Sequence, residues 1–495
     1  MGERVTSNGT DAPVTVGIDL GTQSVRVVLV EEDGAEVSSG SAPLTSERSD
    51  EVRHEQDPES WWEAVGEAAR EATKDLGGRP VDGLAICSTS GTILLADKEG
   101  RPLTPAIMYN DGRAAKEAET AQEVGHELWD SLGYKISGSY ALPRLLWLLE
   151  HGFGEGASRM MHQADFVASR LAGEPVGTDW SHALKTGWDL VNERWPEGVM
   201  EHLGVPVGLL PPVVRPGTDL GEVSARAAEH TGIPAGTPIR AGMTDSCAAQ
   251  IAAGALEPGR WNSVLGTTLA LKGVAPKLLR DPAGVVYCHR HPDGGWLPGG
   301  ASSTGAGVIP EMFPDADLQA LNGEAEKRGP SSAVFYPLAT KGERFPFSAP
   351  EARSFWEGEP EDEVDRYRAV LEGVAFVERL CFAHLDSLGA EVSGPVSSTG
   401  GGARSRLWSQ IRADVLGMPV IVPRSSEGSV GMAILARAGS GPVAETATSM
   451  SGTKWEFEPE GSNGGLAENF ERLADAFVER GFIHEDLAHR ARLDG

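Results

Sequence analysis

The stretch VGIDLGTQSVRVVLVEEDG, residues 16–34, decides the fold. Two runs of aliphatic and β-branched residues flank a Gly-Thr pair, and this pattern predicts a strand, a tight turn and a second strand. Asp19 lies at the carboxyl end of the first run, where an ordinary hairpin needs no carboxylate. Backbone N–H groups in such a turn can approach a phosphate closely, but Gly-Thr turns are also common in plain hairpins. This stretch alone therefore leaves both interpretations open.

The chain repeats this pattern in its second half. SVLGTTLALKGV, residues 263–274, again has an apolar run, Leu-Gly-Thr, a polar residue and a second apolar run. Gly21 and Gly266 are the matching glycines. Two similar hairpins at the starts of two halves predict a duplicated α/β domain with a boundary near Leu256. Two glycine turns on facing domains would suit the binding of a polyphosphate between them.

The composition limits the classes of function. A chain of 495 residues with 40% apolar residues is long enough for about two to four domains with a sizeable core. Its formal net charge of -29 argues against binding to nucleic acid or to an anionic membrane. The sequence has no apolar run of about 18 residues, so we expect no membrane-spanning helix.

The N-terminus and the cysteines indicate the cellular compartment. The opening MGERVTSNGTDAP is polar and lacks the apolar core of a secretory signal, so we expect residues 1–12 to form a disordered tail. Cys87, Cys247, Cys288 and Cys381 are far apart and form no Cys-x-x-Cys pair. A reducing, cytoplasmic location is the simplest interpretation.

The first half continues with a helix and two further strands. Residues 57–78, DPESWWEAVGEAAREATKDLGG, predict a helix with Asp57 as its N-cap, Pro58 in its first turn and Gly77 at its end. Residues 81–100, VDGLAICSTSGTILLADKEG, predict two strands joined by a turn of small residues. The order ββαβ predicts an α/β sheet with loops at the strand ends available for ligands.

Two further segments carry chemistry. STGGGARSRLWSQIRADVLG, residues 398–417, predicts a strand, a glycine loop and a helix suited to a nucleotide, although it is neither a P-loop nor a Rossmann fingerprint. Asp245 follows the strand in AGMTDSCAAQ, residues 241–250, at the start of a helix of small residues. An aspartate suits a helix N-cap, and at the rim of a cleft it can also accept the proton of a hydroxyl during phosphoryl transfer. The local context leaves both roles open.

The CHRH run at residues 288–291 resembles a metal cluster. If it lies on a strand, adjacent side chains point to opposite faces, so few of them can share one ion. We expect these side chains to be structural.

The order and spacing of these segments resemble the FGGY family of carbohydrate kinases, within the actin-like ATPase superfamily. GIDLGTQSVRVVLV is similar to the family's first phosphate loop, LGTT to its second, and AGMTDSCAAQIAAGAL to the segment that holds its catalytic aspartate. TGGGARSRLWSQIRADVLGMPV is similar to the signature on the adenosine side. The resemblance implies two duplicated actin-like (ribonuclease H-like) α/β domains with an interdomain cleft. The first, residues 13–256, would bind the sugar and hold the catalytic base, and the second, residues 257–495, would bind the nucleotide.

The family implies a role for each matching position. Asp245 would be the general base on the sugar hydroxyl, and Asp19 would lie near Mg²⁺ and the transferred phosphoryl group. The remaining ATP-binding positions implied by the resemblance are Gly21, Thr22, Gln23, Gly266, Thr267, Gly300, Gly401, Gly402 and Ala403. Members of the family are often dimers, so a homodimer is an expectation as well.

The substrate follows from the turn at residues 88–91. Typical xylulokinases carry Gln-Met-His-Gly there, whereas this chain has Ser-Thr-Ser-Gly. Other segments, including DWSHALKTGWD and YPLATKGERFPF, are more similar to a smaller branch that favours ribulose. We therefore expect a ketopentose, D-ribulose first and D-xylulose second, with sugar contacts from Thr89, Ser90, Asp111 and Asp245.

Two alternatives remain at this stage. The chain could phosphorylate another polyol, a hexulose or a quorum-signal ketone. It could also be a non-enzymatic protein on the same ATPase fold, as actin-like filament proteins are, which would keep the phosphate turns without needing Asp245.

Overall fold

The computed structural model describes residues 12–46, 52–461 and 464–493, so the predicted tail lies outside the described residues except for its last residue. The chain forms two compact units. The first comprises residues 1–252 together with 425–452, and the second comprises residues 253–424 together with 453–495. No helix within the described ranges is long and apolar enough to cross a membrane.

The first unit contains twelve strands and, up to Ala252, nine helices in the part of the chain that the structure describes. The strands are β1 (Val14–Leu20), β2 (Ser24–Val30), β3 (Glu36–Pro43), β4 (Glu55–Gln56), β5 (Val81–Ser88), β6 (Ile93–Ala96), β7 (Ala106–Ile107), β8 (Arg159–His162), β9 (Thr178–Asp179), β10 (Val213–Val214), β11 (Asp219–Glu222) and β12 (Pro238–Thr244). The helices are α1 (Pro58–Thr73), α2 (Ala115–Val124), α3 (His126–Leu132), α4 (Ala141–Glu150), α5 (Gln163–Ala172), α6 (Trp180–Leu184), α7 (Glu197–His202), α8 (Ala225–Thr231) and α9 (Asp245–Ala252).

The remaining elements follow from residue 253 onward. The strands are β13 (Trp261–Leu265), β14 (Leu269–Gly273), β15 (Tyr287–Arg290), β16 (Trp296–Ser302), β17 (Val334–Tyr336), β18 (Phe355–Glu357), β19 (Val396–Thr399), β20 (Val420–Pro423) and β21 (Thr453–Phe457). The helices are α10 (Val308–Met312), α11 (Leu318–Ala325), α12 (Glu363–Ser387), α13 (Arg406–Leu416), α14 (Gly428–Ala438), α15 (Val443–Met450), α16 (Gly464–Glu479) and α17 (Glu485–Arg490). Of these, α14 and α15 belong to the first unit.

The main sheets of the two units share the arrangement of their central strands, and the sheet of the second unit has one more strand at its edge, β15. The sheet of the first unit has the order β11-β12-β5-β1-β2-β3, and that of the second has the order β15-β16-β14-β13-β19-β20-β21. In each unit the opening strand pairs antiparallel with the next strand and parallel with a later one, as β1 does with β2 and β5, and β13 with β14 and β19. A second parallel strand and an antiparallel edge strand follow in both. The duplication predicted from the two Leu-Gly-Thr turns is therefore confirmed.

Helix α1 forms largely as its sequence predicts. Asp57 is the N-cap, its carboxylate accepting from the Glu59 N–H at 3.0 Å, and a proline occupies the first turn. The apolar face is buried in the core, and the helix packs against β2 and β3. The helix ends at Thr73, before the predicted Gly77, because the Leu76 N–H closes a tighter turn on the Thr73 carbonyl.

The chain returns to the first unit late in the sequence. The structure divides the chain after Ala252, close to the predicted Leu256, but residues 425–452 pack with the first unit and not with the rest of the predicted second domain. Glycines permit this packing: a Cβ on Gly431 of α14 would lie 2.0 Å from the Ala248 carbonyl oxygen of α9. A close backbone approach between distant segments has no local sequence pattern, so the return was not anticipated.

Candidate active site

Three parallel strands of the first unit end in one row. Leu20 at the end of β1 pairs with Ser88 at the end of β5, and Ser88 pairs in turn with Thr244 at the end of β12. The residues one position earlier, Asp19 and Cys87, form the adjacent row. Because carboxyl ends of parallel strands in an α/β sheet are the usual place for ligands, this edge is the candidate site.

Asp245 is the first residue beyond this edge. It begins α9 directly after β12, and its side chain is exposed. Its carboxylate accepts from the Ser246 N–H at 2.6 Å, so the helix N-terminus fixes the group in place. Asp245 lies at the start of the helix as predicted, and no loop separates it from the strand, which ends at Thr244. An exposed carboxylate held at a strand end can accept a proton from a bound hydroxyl.

Asp19 has an unusual electrostatic environment. Its pKa is raised to about 6, first by burial and then by the negative charges of Asp245 and Glu427, while a hydrogen bond with Cys87 and the charge of Arg26 oppose the rise. The raised pKa means that the ionised form lacks compensating positive charge. A bound cation would supply that charge, and a carboxylate oxygen is a preferred ligand of Mg²⁺.

The structure also restricts what kind of metal Asp19 could hold. Within the described ranges, no group of three or more His, Cys, Asp or Glu side chains is arranged to hold an ion. A site built from protein ligands alone is therefore not present among these residues. Mg²⁺ in phosphoryl-transfer enzymes commonly takes one or two carboxylates together with phosphates and water, and Asp19 fits that pattern.

The first glycine turn, residues 21–23, connects β1 and β2. The Gly21 N–H donates to the Ser24 carbonyl at 3.0 Å, and Gln56 donates to the Thr22 carbonyl at 2.8 Å. Gln23 is exposed. These bonds hold the turn at the same strand end that carries Asp19.

The matching turn of the second unit, residues 266–268, connects β13 and β14. The Gly266 N–H donates to the Thr268 carbonyl at 3.0 Å, and Thr267 is exposed. A neighbouring loop braces the turn, because the Ala306 and Gly307 N–H groups donate to the Gly266 and Thr267 carbonyls at 2.9 and 3.0 Å. Both turns thus span the same number of residues at equivalent places in the duplicated topology.

The predicted strand, glycine loop and helix at residues 396–417 are confirmed. Gly400 has a φ of +80° and lies so close to Leu265 that a Cβ would meet its carbonyl oxygen at 2.6 Å. Gly402 packs on the Leu265 side chain, whereas no described atom lies within 4 Å of the Cβ position of Gly401. Two of the three glycines therefore serve packing, and Gly401 faces open space. Ala403, next in the loop, is buried.

Gly300 has a packing role. It lies within β16, opposite Leu271 of β14, and the Phe345 ring covers it so that a Cβ would lie 2.9 Å from the ring. Its part in nucleotide binding stays a prediction.

The side chains at residues 89 and 90 differ in their freedom. The Thr89 hydroxyl is engaged with Thr92 and with the Gln163 carbonyl oxygen, both at 2.7 Å, and Thr89 is buried. The Ser90 hydroxyl is also buried, yet it has no hydrogen-bond partner among the described residues. Because an unpaired buried hydroxyl is costly, Ser90 is suited to bond to a ligand.

Asp111 is occupied by internal partners. Its carboxylate accepts from the Arg113 guanidinium at 2.8 to 3.1 Å and from the His54 N–H at 2.7 Å. Burial alone would raise the pKa of Asp111, but these hydrogen bonds and the Arg113 charge hold it below its usual value. The carboxylate thus anchors the turn that carries Tyr109 and Arg113.

One polar arrangement beside this strand edge was not predicted from the sequence. His182 of α6 lies between Ser88 and Asp179: its Nε2 is 2.9 Å from the Ser88 hydroxyl, and its Nδ1 donates to the Asp179 carboxylate at 2.5 Å. All three residues are buried. Asp179 and His182 are neighbours at the start of α6, so an aspartate three residues before a histidine was a local signal, whereas their contact with Ser88 joins distant segments.

The CHRH run has separate structural partners. His289 Nδ1 lies 2.8 Å from the Lys272 ammonium, His291 bonds to the Leu256 carbonyl at 3.2 Å, and Cys288 donates to the Leu279 carbonyl at 3.6 Å. These partners lie in different directions, as expected for neighbours on a strand.

Comparison with known proteins gives a consistent result. The profiles of the FGGY family of carbohydrate kinases match this chain, the N-terminal domain over residues 14–252 and the C-terminal domain over residues 262–439. The chain is 30% identical over 467 residues to the autoinducer-2 kinase of Yersinia enterocolitica, with 88% of each chain covered. It is 29% identical over 430 residues to the xylulose kinase of Streptomyces coelicolor, covering 84% of this chain and 86% of that one. The crystal structure of xylulose kinase from Rhodospirillum rubrum superposes with a TM-score of 0.84 at 25% identity, covering 96% of this chain and 100% of that chain.

Proposed function

Because this chain belongs to the FGGY family of carbohydrate kinases and is therefore an ATP-dependent sugar kinase, we propose that it phosphorylates a hydroxyl of a ketopentose, D-ribulose before D-xylulose. The observation that carries the proposal is the position of Asp245, an exposed carboxylate one residue beyond the aligned ends of β1, β5 and β12. The sugar oxygen forms a bond to the γ-phosphorus while the bond from that phosphorus to the β,γ-bridging oxygen breaks. The hydroxyl proton passes to Asp245, and ADP leaves.

Asp19 is the residue that would hold Mg²⁺. The raised pKa of its carboxyl, caused by burial and by neighbouring carboxylates, supports this role. Bound Mg²⁺ supplies positive charge that offsets the negative charge on the phosphates. The chain's own contribution is to hold Asp19 one residue before the end of β1, in hydrogen-bond contact with Cys87.

We assign the ATP contacts within each unit separately. We assign phosphate contacts to the turn at Gly21, Thr22 and Gln23 in the first unit, and to Gly266 and Thr267 in the second. We assign the nucleotide to the loop at residues 401–403, where Gly401 leaves room for close approach. The Gly21 and Gly266 N–H groups donate within their own turns, so the exposed side chains of Gln23 and Thr267 support the assignment.

The ketopentose preference rests on the turn at residues 88–91. The unpaired Ser90 hydroxyl is the best candidate for a direct sugar contact. Thr89 and Asp111 are bonded internally, so we assign them to shaping the pocket unless the sugar displaces a present partner. A small hydroxyl at position 90 in place of the xylulokinase histidine leaves room for a different ketose stereochemistry.

A second candidate substrate is a short ketone of the kind that autoinducer-2 kinases phosphorylate. The 30% identity to such a kinase over 88% of the chain favours it. This candidate uses the same Asp245, Asp19 and phosphate turns. The two candidates differ only in what contacts residues 88–91.

One experiment separates the candidates. We would compare kcat/KM for D-ribulose, D-xylulose, L-ribulose, glycerol and the autoinducer-2 ketone, measuring ADP release with Mg²⁺-ATP. We expect D-ribulose to give the highest value, with D-xylulose next. A higher value for the ketone would transfer the assignment to the second candidate, and equally poor values for all five would contradict both. Sedimentation of the same preparation tests the expected homodimer.

A further inference from the structure

His182 occupies a buried position between two polar partners. Its Nδ1 donates to Asp179 at 2.5 Å, and its Nε2 lies 2.9 Å from the hydroxyl of Ser88, the last residue of β5. The imidazole therefore connects the N-cap of α6 with the strand edge at which the candidate active site lies.

A second set of bonds connects the same N-cap to the residue before Asp245. The other oxygen of the Asp179 carboxylate accepts from the Ser181 N–H at 2.8 Å and from the Ser181 hydroxyl at 2.6 Å. The Ser181 hydroxyl oxygen in turn accepts from the Thr244 N–H at 2.9 Å. Asp179 thus fixes the end of β12 through Ser181, and the end of β5 through His182.

The charges around His182 favour its protonated form. Asp179 faces it from the start of α6, Asp165 from α5 and Asp245 from the start of α9, and their charges raise the pKa of His182 against the opposing effect of burial. Of the basic groups nearby, the ring of His162 is 5.6 Å away and is engaged with Asp165, and Lys185 points to the Tyr140 ring. Three carboxylates thus act on this imidazole.

We infer that His182 is a positioning residue for phosphoryl transfer: as an imidazolium held between Asp179 and Ser88, it favours the ionised form of Asp245 and holds the end of β5 in place. This rests on the proposed function in so far as Asp245 is the base. With Nε2–H donating to Ser88, the Ser88 oxygen is the acceptor, so the Ser88 hydroxyl hydrogen turns away from the ring. Asp179 holds the ring orientation, as carboxylates do for histidines in other polar chains.

The protonation state can be measured without any substrate. Histidine-selective ¹⁵N labelling of the full chain reports whether both ring nitrogens carry protons, and His182→Asn identifies the signal. We expect both nitrogens to stay protonated above the ordinary histidine pKa of about 6.5, because the neighbouring carboxylates raise the pKa of His182. Asp179→Asn should lower the pKa of His182. The signal that shifts in this variant identifies His182 if the His182→Asn protein does not fold. A single-proton ring at neutral pH in the wild type would overturn the inference.

The coupling to Asp245 is read from kinetics. We expect the acid limb of the kcat/KM profile to move up by about 0.5 to 1 pH unit in His182→Asn relative to the wild type, because the positive charge near the base is lost. Asp19 of β1, whose carboxylate also interacts with Asp245, is unchanged in both proteins and acts equally on both profiles. The matched control is His230→Gln, a histidine of the same unit that stacks on Trp62, and its acid limb should stay in place. A folded His182→Asn protein with an unshifted limb would overturn the inference. Failure of the wild type to phosphorylate any substrate would instead contradict the proposed function, while the labelling experiment still decides the protonation state.

Discussion

The backbone of Gly17 in β1 lies directly against the carbonyl oxygen of Ser429 in α14. A Cβ on Gly17 would come within 1.7 Å of that oxygen and within 2.7 Å of the Ala433 nitrogen. Backbone atoms on both sides cannot move aside as a flexible side chain can. This contact allows α14, a helix late in the chain, to pack closely on the sheet of the first unit.

Gly17→Ala should therefore be strongly destabilising. We expect a loss of about 3 kcal/mol or more in the free energy of unfolding, at the upper end of overpacking costs, measured by urea denaturation. Gly198→Ala is the matched control, because in the described chain nothing lies within 4 Å of its Cβ position in α7. Replacing an exposed helical glycine by alanine raises the free energy of unfolding by about 0.5 to 1 kcal/mol. Equal stability of the two variants would contradict the close packing of α14.

The stability of the protein should depend on pH through Asp19. Its folded pKa of about 6 lies above the ordinary value of 3.8, so the native state binds this proton more tightly than the unfolded state does. The resulting destabilisation is absent at pH values below the ordinary pKa of 3.8. It grows as the pH rises between the two pKa values and reaches its full size above about pH 6. Asp19→Asn, in the absence of Mg²⁺ and ATP, should therefore stabilise the protein at about pH 8, by at most about 3 kcal/mol.

The pH series provides the check on that prediction. The advantage of Asp19→Asn over the wild type in urea denaturation should shrink as the pH falls from 6 towards 4. Asp130→Asn, an exposed carboxylate on α3, should stay within about 0.5 kcal/mol of the wild type throughout. An Asp19→Asn protein that is no more stable than the wild type at any pH would show that the carboxylate is not strained in the folded state.

Removal of the proposed base should affect the chemical step. We expect Asp245→Asn to lower kcat by about 10² to 10⁴-fold while the KM for sugar changes little, because the amide keeps the shape but accepts no proton. Ser246→Ala is the control, since the Ser246 N–H that donates to Asp245 is retained. A variant at position 245 with nearly full kcat would show that a different group accepts the hydroxyl proton.

Local patterns predicted the parts of the fold that local chemistry determines. The hairpin at residues 16–34, its repeat at residues 263–274 and the cap of α1 at Asp57 depend on near neighbours in sequence, and each is present. The seat of α14 depends on Gly17 meeting a residue more than 400 positions away, and no window of sequence contains both.

The candidate site likewise combines features set by near neighbours in sequence with features set by distant residues. The positions of Asp19 and Asp245 at strand ends could be predicted, because a strand and its following turn are contiguous. The contact of Ser88 with His182 could not, since tertiary packing alone brings the serine to the local pair formed by Asp179 and His182. Thr89 was predicted as a sugar contact from its place in the turn, but its hydroxyl faces Gln163, a partner supplied by α5.

Glu343 provides the last prediction, in the second unit. Its buried carboxylate accepts from the hydroxyls of Ser302, Thr304 and Tyr336 at 2.9 to 3.1 Å and from the Ser303 N–H at 2.6 Å. The loop so held continues to the N–H groups of residues 306 and 307, which brace the turn at residues 266–268, our proposed phosphate contact.

Glu343→Gln should therefore weaken the binding of ATP and leave the binding of the sugar unchanged. The amide places an N–H₂ donor where the carboxylate accepts, so at least one donor loses its partner, at a cost of about 1 to 3 kcal/mol in unfolding free energy. Loosening of the bracing loop should raise the KM for ATP by about tenfold and leave the KM for sugar unchanged. Steady-state kinetics with each substrate varied in turn measures both, and Glu351→Gln, an exposed glutamate of the same unit, is the control. An equal rise in both KM values would show that Glu343 supports the unit as a whole and not the phosphate turn in particular.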